Sequence, residues 1–257
     1  MTRIVAVLTI LVIAAFAGVA GAQVPPQSDP GSFGPPDIRD QTRPLKLLVT
    51  VGGDQPFDET ALTAMLSGLP EVTWTKAVMP KDAGLLKRGL EEQYDAVLFS
   101  DSYERTDSER KELAELLSGR MGFVILNPSN QTWAGVPEAI GGTTTDQPGA
   151  MSRVTIQAVE AGHPVTRGVN NFVLTERLAP AVTRTPNALP VLRADTAVGG
   201  DDVVAWSVMY GEPYGLTRVL IMRMGQDRTA WDDPNFRRVL VQGLRWTTCA
   251  TWGRFCS

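Results

Sequence analysis

A single histidine, His163, and two cysteines, Cys249 and Cys256, set the first limits on the chemistry of this 257-residue chain. Cys–His hydrolysis needs a thiolate presented on a strand–turn–helix elbow, and both cysteines stand in the last nine residues. A Ser–His–acid triad would have to use His163 as its base. His163 precedes Pro164 in a loop-like segment, and no G-x-S-x-G turn exists to present a serine. Zinc sites draw on several His or Cys ligands, which one histidine and two distal cysteines do not supply. Carboxylates and amides that follow apolar runs are left: Asp54, Asp101, Asn127, Glu176, Gln226 and Asp227. Asp54, Asp101, Glu176 and Asp227 are the candidate general acids or bases, a role that requires a carboxyl in a dry cleft with its proton affinity raised. Asp54, Asp101 or Asp227 also leave open an oxygen-ligand site for calcium or magnesium, although scattered acids usually serve as loop or capping residues. No metal and no cofactor is expected.

These residues matter only if strands bring them together. Leu45-Lys46-Leu47-Leu48-Val49-Thr50-Val51 is a short apolar run ending in Gly52-Gly53-Asp54, as in a buried parallel strand and its turn. Asp58 caps an expected helix to about Leu66. Strands are expected at 72–77, 95–100 and 122–126, with a weaker helix at 82–90. Thr106 and Glu109 form a capping box ahead of a helix that places Leu113, Leu116 and Leu117 on one face. Strand alternating with helix is the pattern of right-handed parallel crossovers. The second half is richer in strand patterns, at 152–159, 191–194, 202–209 and 217–224. A last helix is expected to begin at Asp233-Pro234 and to bury Phe236, Val239, Leu240, Gly243 and Leu244.

In open parallel sheets, ligand sites form beyond the carboxyl ends of the strands, near the switch in strand order. That edge is expected to gather Gly52, Gly53, Asp54, Asp101, Asn127 and Ser129. Gly225-Gln226-Asp227 joins them if the last strand returns beside the first. Trp133, Trp206 and Trp231 offer faces for stacking on a sugar. Each of these has a plainer reading. The glycine pair suits a tight turn, and the aspartates suit helix caps. Trp206 and Trp231 suit the core, and His163 suits a backbone bond within its own turn.

Arg3, the apolar run 4–17 and Ala20-Gly21-Ala22 read as a signal peptide over 1–22. An uncleaved anchor is the alternative. The chain is thus expected to be exported, periplasmic or secreted, with no membrane contact after cleavage. Six prolines between residues 23 and 44 mark a linker or arm. One α/β domain is expected over 45–248, followed by a tail at 249–257. In an oxidising compartment Cys249 and Cys256 are expected to pair, closing a small loop for about 2–3 kcal/mol. With a net charge of −4 and no basic run, nucleic acid is not an expected partner. The oligomeric state is not legible.

The ordered motifs resemble the ThuA-like family, within the class I glutamine-amidotransferase-like group. The resemblance is carried by Leu47-Leu48-Val49-Thr50-Val51-Gly52-Gly53, Tyr94-Asp95-Ala96-Val97-Leu98-Phe99-Ser100-Asp101, Gly141-Gly142 after Trp133, and His163-Pro164-Val165-Thr166-Arg167-Gly168-Val169. Trp206 before Tyr210-Gly211, and Gly225-Gln226-Asp227 with Trp231, complete it. It implies a flavodoxin-like, three-layer α/β sandwich with a mostly parallel central sheet. Where the family has a histidine after the fourth strand, residues 122–128 have none. Its G-H-D is Gly225-Gln226-Asp227 here, and of its D-E-x-Y only Glu176 is present.

Three functions follow as expectations. One is a carbohydrate- or polyol-binding protein on a scaffold whose catalytic histidines are gone. The second is a sugar isomerase or hydrolase that works through carboxylates. The third is a non-catalytic interaction domain of the cell envelope. Whether the chain is an enzyme stays open at this point.

Overall fold

The computed structural model describes residues 43–53, 58–136, 139–146, 149–159, 162–179, 182–198, 201–210, 217–226 and 228–248. The chain divides into the units Met1–Gly34 and Pro35–Ser257, and every element below belongs to the second. Asp54, Asp227, Cys249 and Cys256 lie outside the described residues, as do the expected signal peptide and most of the arm.

The first half alternates as its periodicity predicts. β1 (Leu45–Gly52) leads to α1 (Glu59–Ser67), then β2 (Val72–Met79), β3 (Ala96–Phe99), α2 (Asp107–Leu117) and β4 (Gly122–Leu126). Asp58 caps α1 through the Ala61 N–H, and the Thr106–Glu109 capping box opens α2. The helix expected at 82–90 is instead two 3-10 turns, Ala83–Leu85 and Leu90–Glu92. Gly89, with φ +95°, stands between them in a left-handed conformation that no α-helix continues through.

The second half adds β5 (Gly142–Thr144), β6 (Ser152–Ala158), β7 (Phe172–Glu176), β8 (Val182–Arg184), β9 (Leu189–Val198), β10 (Asp201–Tyr210), β11 (Thr217–Met222), α3 (Arg228–Asp232) and α4 (Pro234–Thr247). Nine of these strands form one sheet, ordered β2-β1-β3-β4-β11-β10-β9-β6-β7. The five from β2 to β11 are mutually parallel, and each later neighbour pairs antiparallel. Seven strands therefore point one way, and β6 and β10 point the other. This is the mostly parallel sheet implied by the family motifs. β5 and β8 make a separate two-stranded ribbon.

Helices cover both faces of the parallel half, so it has three layers. Leu45, Leu47, Val49 and Val51 of β1 pack with α1, α3 and α4 in one core cluster. Leu48 faces the opposite side, with Leu113, Leu116 and Leu117 of α2. The alternation along β1 is the two-residue period of a strand buried on both faces. Asp233 caps α4 with Pro234 in its first turn, and Phe236, Val239, Leu240, Gly243 and Leu244 are all buried, as the spacing predicts.

Strand order fixes the rim. From β1 the chain steps to β2 on one side and then to β3 on the other, so the switch in direction lies between β1 and β3. The carboxyl ends of β1, β3, β4 and β11 then stand in one row. The last parallel strand returns beside β4 rather than beside β1.

Candidate functional site

The turn after β1 is shaped by close backbone approach. Gly52 has φ +118°, and a Cβ there would come within 2.6 Å of the Met79 carbonyl oxygen. Gly53 has φ +88°, and a Cβ there would overlap the Ser102 side chain. The Gly52 carbonyl accepts from the Ser102 N–H at 2.9 Å, which ties the turn after β1 to the turn after β3. The glycine pair is thus accounted for by packing at the switch point, in which only residues without a Cβ fit.

Asp101, read as a possible acid, base or hydroxyl ligand, is buried and fully engaged. Its two oxygens accept from one Nη of Arg105 at 2.9 and 3.0 Å. Thr50 Oγ1 donates to it at 2.5 Å and the Tyr103 N–H at 3.2 Å. The Arg105 side chain is 1% exposed. Its guanidinium carbon lies 5.5 Å from the Phe99 ring centroid and 5.4 Å from that of Trp133. Separating such a buried pair by removing one partner costs about 3–5 kcal/mol, so Asp101 and Arg105 together hold the loop after β3. Arg105 was not anticipated. The only signal for it was its place four residues after Asp101 in the loop that follows a buried strand.

Trp133 belongs to the same assembly. It is buried and meets Phe99 edge-on at 5.0 Å, so its ring packs in the core instead of offering a sugar platform. Trp206 and Trp231 are also wholly buried, and their indole N–H groups donate to the carbonyls of Ile140 and Gly225, each at 2.9 Å. All three tryptophans follow the core reading. Ser129 and Thr132 exchange hydrogen bonds within the loop after β4, with the two hydroxyl oxygens 3.0 Å apart. The loops after β3 and β4 are strapped together by Gln131, whose amide donates to Glu104 at 2.6 Å.

Tyr103 borders the switch point. Its hydroxyl donates to Glu109 at 3.1 Å. Burial raises the phenol's pKa above its ordinary value, and the hydrogen bond and charge of Glu109 add to this. Burial pushes the Glu109 carboxyl up, but the Thr106 backbone and hydroxyl bonds, the Tyr103 phenol and the Arg105 charge together carry it below its ordinary value.

His163 does not join the rim. It caps a short 3-10 turn, its Nδ1 accepting from the Val165 N–H at 3.2 Å. Its ring lies 5.3 Å from that of Trp246 in the last turn of α4. The Trp246 carbonyl accepts from Arg218, at the start of β11, and a Cβ on Gly122, at the start of β4, would meet the backbone of Thr247. His163 therefore stands at the amino edge of the sheet. β4 separates that edge from the rim by five residues, roughly 16 Å of strand.

Glu176, at the end of β7, is completely buried, and its Oε1 accepts from the Gly225 N–H at 2.8 Å. Asn127 and Gln226 differ from the carboxylates. Asn127 follows β4 with φ +51°, the one positive φ at a non-glycine among the described residues. Such conformations are uncommon outside glycine and concentrate at functional turns. Its N–H donates to the Met222 carbonyl at 2.7 Å, and its side-chain amide reaches the Met224 carbonyl only at 3.5 Å. Gln226 follows β11, the strand paired with β4, and is half-buried with no side-chain hydrogen bond among the described residues. Among the described residues, the paired strands β4 and β11 are thus followed by two amides with open hydrogen-bonding capacity, Asn127 and Gln226, whereas Asp101 and Glu176 are hydrogen-bonded.

A doubly covered sheet with this strand order, extended by antiparallel strands, defines the class I glutamine-amidotransferase-like fold. Its solved relatives include a GMP synthase component of Thermoplasma acidophilum (TM-score 0.55, 11% identity, 82% of this chain and 96% of that one). The mmIFT52 N-terminal domain is another (TM-score 0.57, 10% identity, 79% and 97%). Within that class the chain belongs to the ThuA family, described as trehalose utilisation, whose model matches residues 54–247. A ThuA-like protein of Bacteroides uniformis shares the fold (TM-score 0.59, 16% identity, 80% of this chain and 92% of that one). No curated protein sequence matches the chain. At these identities the structural likenesses concern the fold alone.

Proposed function

We propose that this ThuA-family protein is exported and binds an uncharged carbohydrate or polyol at the carboxyl rim of β1, β3, β4 and β11, without hydrolytic chemistry of the Cys–His kind. The observation that carries the reading is the pair of amides, Asn127 and Gln226, on neighbouring strand ends. A primary amide both donates and accepts, which suits hydroxyl groups that do the same. The carboxylate enzyme is less well supported. Asp101 is engaged by Arg105 and Thr50, and Glu176 by the Gly225 N–H. That alternative rests on Asp54 and Asp227 alone. Export is supported by Arg3, the apolar run 4–17 and Ala20-Gly21-Ala22. The proposed compartment also favours a Cys249–Cys256 disulfide.

Calorimetric titration of the full chain with neutral monosaccharides, disaccharides including trehalose, and linear polyols tests the binding. A saturable heat with at least one of them, lost in Asn127→Ala/Gln226→Ala, is expected. No heat above buffer with any of them contradicts the proposal.

A further inference from the structure

We infer that Glu176 is the positioning residue of the rim. It holds the Gly225–Gln226 turn from the far edge of the sheet and takes no part as an acid or base. In sheet order β10, β9 and β6 separate β7 from β11. The carboxylate at the end of β7 nevertheless reaches the first peptide beyond Met224, because β7 packs against α3. Phe172 and Leu174 of β7 lie in one core cluster with Trp231 and Phe236, and Thr229 Oγ1 donates to the Thr175 carbonyl at 3.4 Å.

Gly225 is gripped on three sides. Its N–H donates to Glu176 Oε1 at 2.8 Å, and its carbonyl accepts from the Trp231 indole at 2.9 Å. A Cβ in place of its hydrogen would meet the Phe236 ring at 2.9 Å, and its φ of +100° suits glycine. The next residue is Gln226, so whatever fixes the Gly225 peptide aims the Gln226 amide. A carboxylate accepting from a backbone N–H in a water-free setting makes a strong, directional bond. A buried carboxylate so engaged is a good anchor for the turn.

The inference rests on the proposed ligand rim for its functional meaning, but the anchor can be read without a ligand. In the full chain, amide hydrogen exchange at Gly225 is expected to accelerate roughly tenfold or more in Glu176→Ala, relative to Val124 inside β4. This is the scale of one charge-assisted hydrogen bond. Glu176→Gln keeps an accepting oxygen and is expected to stay within about threefold of the parent. Trp231→Phe releases the Gly225 carbonyl, in the following peptide, and is expected to accelerate Gly225 as well by loosening the same turn. With trehalose as probe, the calorimetric affinity is expected to fall about tenfold or more in Glu176→Ala and little in Glu176→Gln. Unchanged relative exchange at Gly225 in Glu176→Ala overturns the anchor, whatever Trp231→Phe does. Faster exchange with full trehalose affinity overturns the positioning role. If the parent chain binds no trehalose but Gly225 exchange responds as described, the anchor stands and only the ligand reading is in question.

Discussion

The two edges of the parallel array use the same residue types to different ends. At the amino edge, Asp95 is buried and clamped by Arg43 at 2.6 and 2.7 Å, and it also accepts the Lys46 N–H at 2.8 Å. At the carboxyl rim, Asp101 is buried and clamped by Arg105. Arg43 keeps a quarter of its side chain in solvent, whereas Arg105 keeps 1% and lies among aromatic rings. The amino edge is closed by bonds from side chains to backbone, including Arg218 to Trp246 and Thr217 to Gly119. The rim is as tightly built beneath its surface, yet it leaves the Asn127 and Gln226 amides open. A buried aspartate–arginine pair therefore does not mark function by itself.

Breaking the two pairs gives the largest contrast. Asp101→Ala strands a guanidinium in the core and is expected to lower unfolding free energy by about 3–5 kcal/mol, read by denaturant melts. Asp95→Ala leaves Arg43 able to reach water and is expected to cost less, about 1–3 kcal/mol. Equal losses would erase the distinction drawn between the edges. His163→Ala removes a cap and a ring contact at the amino edge. An expected cost of about 1 kcal/mol, with sugar affinity unchanged, separates that edge from the rim.

Asn127→Gly sharpens the comparison from the other side. The left-handed φ suits glycine better than asparagine. Stability is therefore expected to stay level or rise by a few tenths of a kcal/mol, while sugar affinity falls with the lost amide. The smallest effect is a pH effect. The folded-state pKa of Glu109 is depressed. Its contribution is therefore fully present above the ordinary glutamate range and is lost as pH falls through the depressed value. In Glu109→Gln, that slight acid-side loss in melting temperature is expected to disappear.

The layout of the parallel half was legible because β1, β3 and β4 are short apolar runs followed by Gly, Asp or Asn, and α1, α2 and α4 each carry an N-cap. Thr106–Glu109 and Asp233–Pro234 are local signals that need no tertiary context. β7 was not legible. Its five residues alternate buried and exposed, but a run that short has no periodicity to distinguish it from a loop. β5 and β8, at three residues each, are shorter still. The rim's membership was half legible. Strand ends could be named, but burial could not. Asp101 and Asn127 therefore looked alike until Arg105 was found beneath one and an open amide on the other. Trp206 could be taken for a ligand platform because its partner, the Ile140 carbonyl, is a long-range contact invisible to spacing.

Backbone amide shift mapping of the full chain against trehalose and a linear polyol tests the central claim most directly. Perturbations are expected at Gly52, Gly53, Ser102, Asn127 and Gln226, with the amides of Val165 and Trp246 unmoved. Shifts gathered around Val165 and Trp246 instead, or no shifts at either edge with any neutral sugar or polyol, would contradict it.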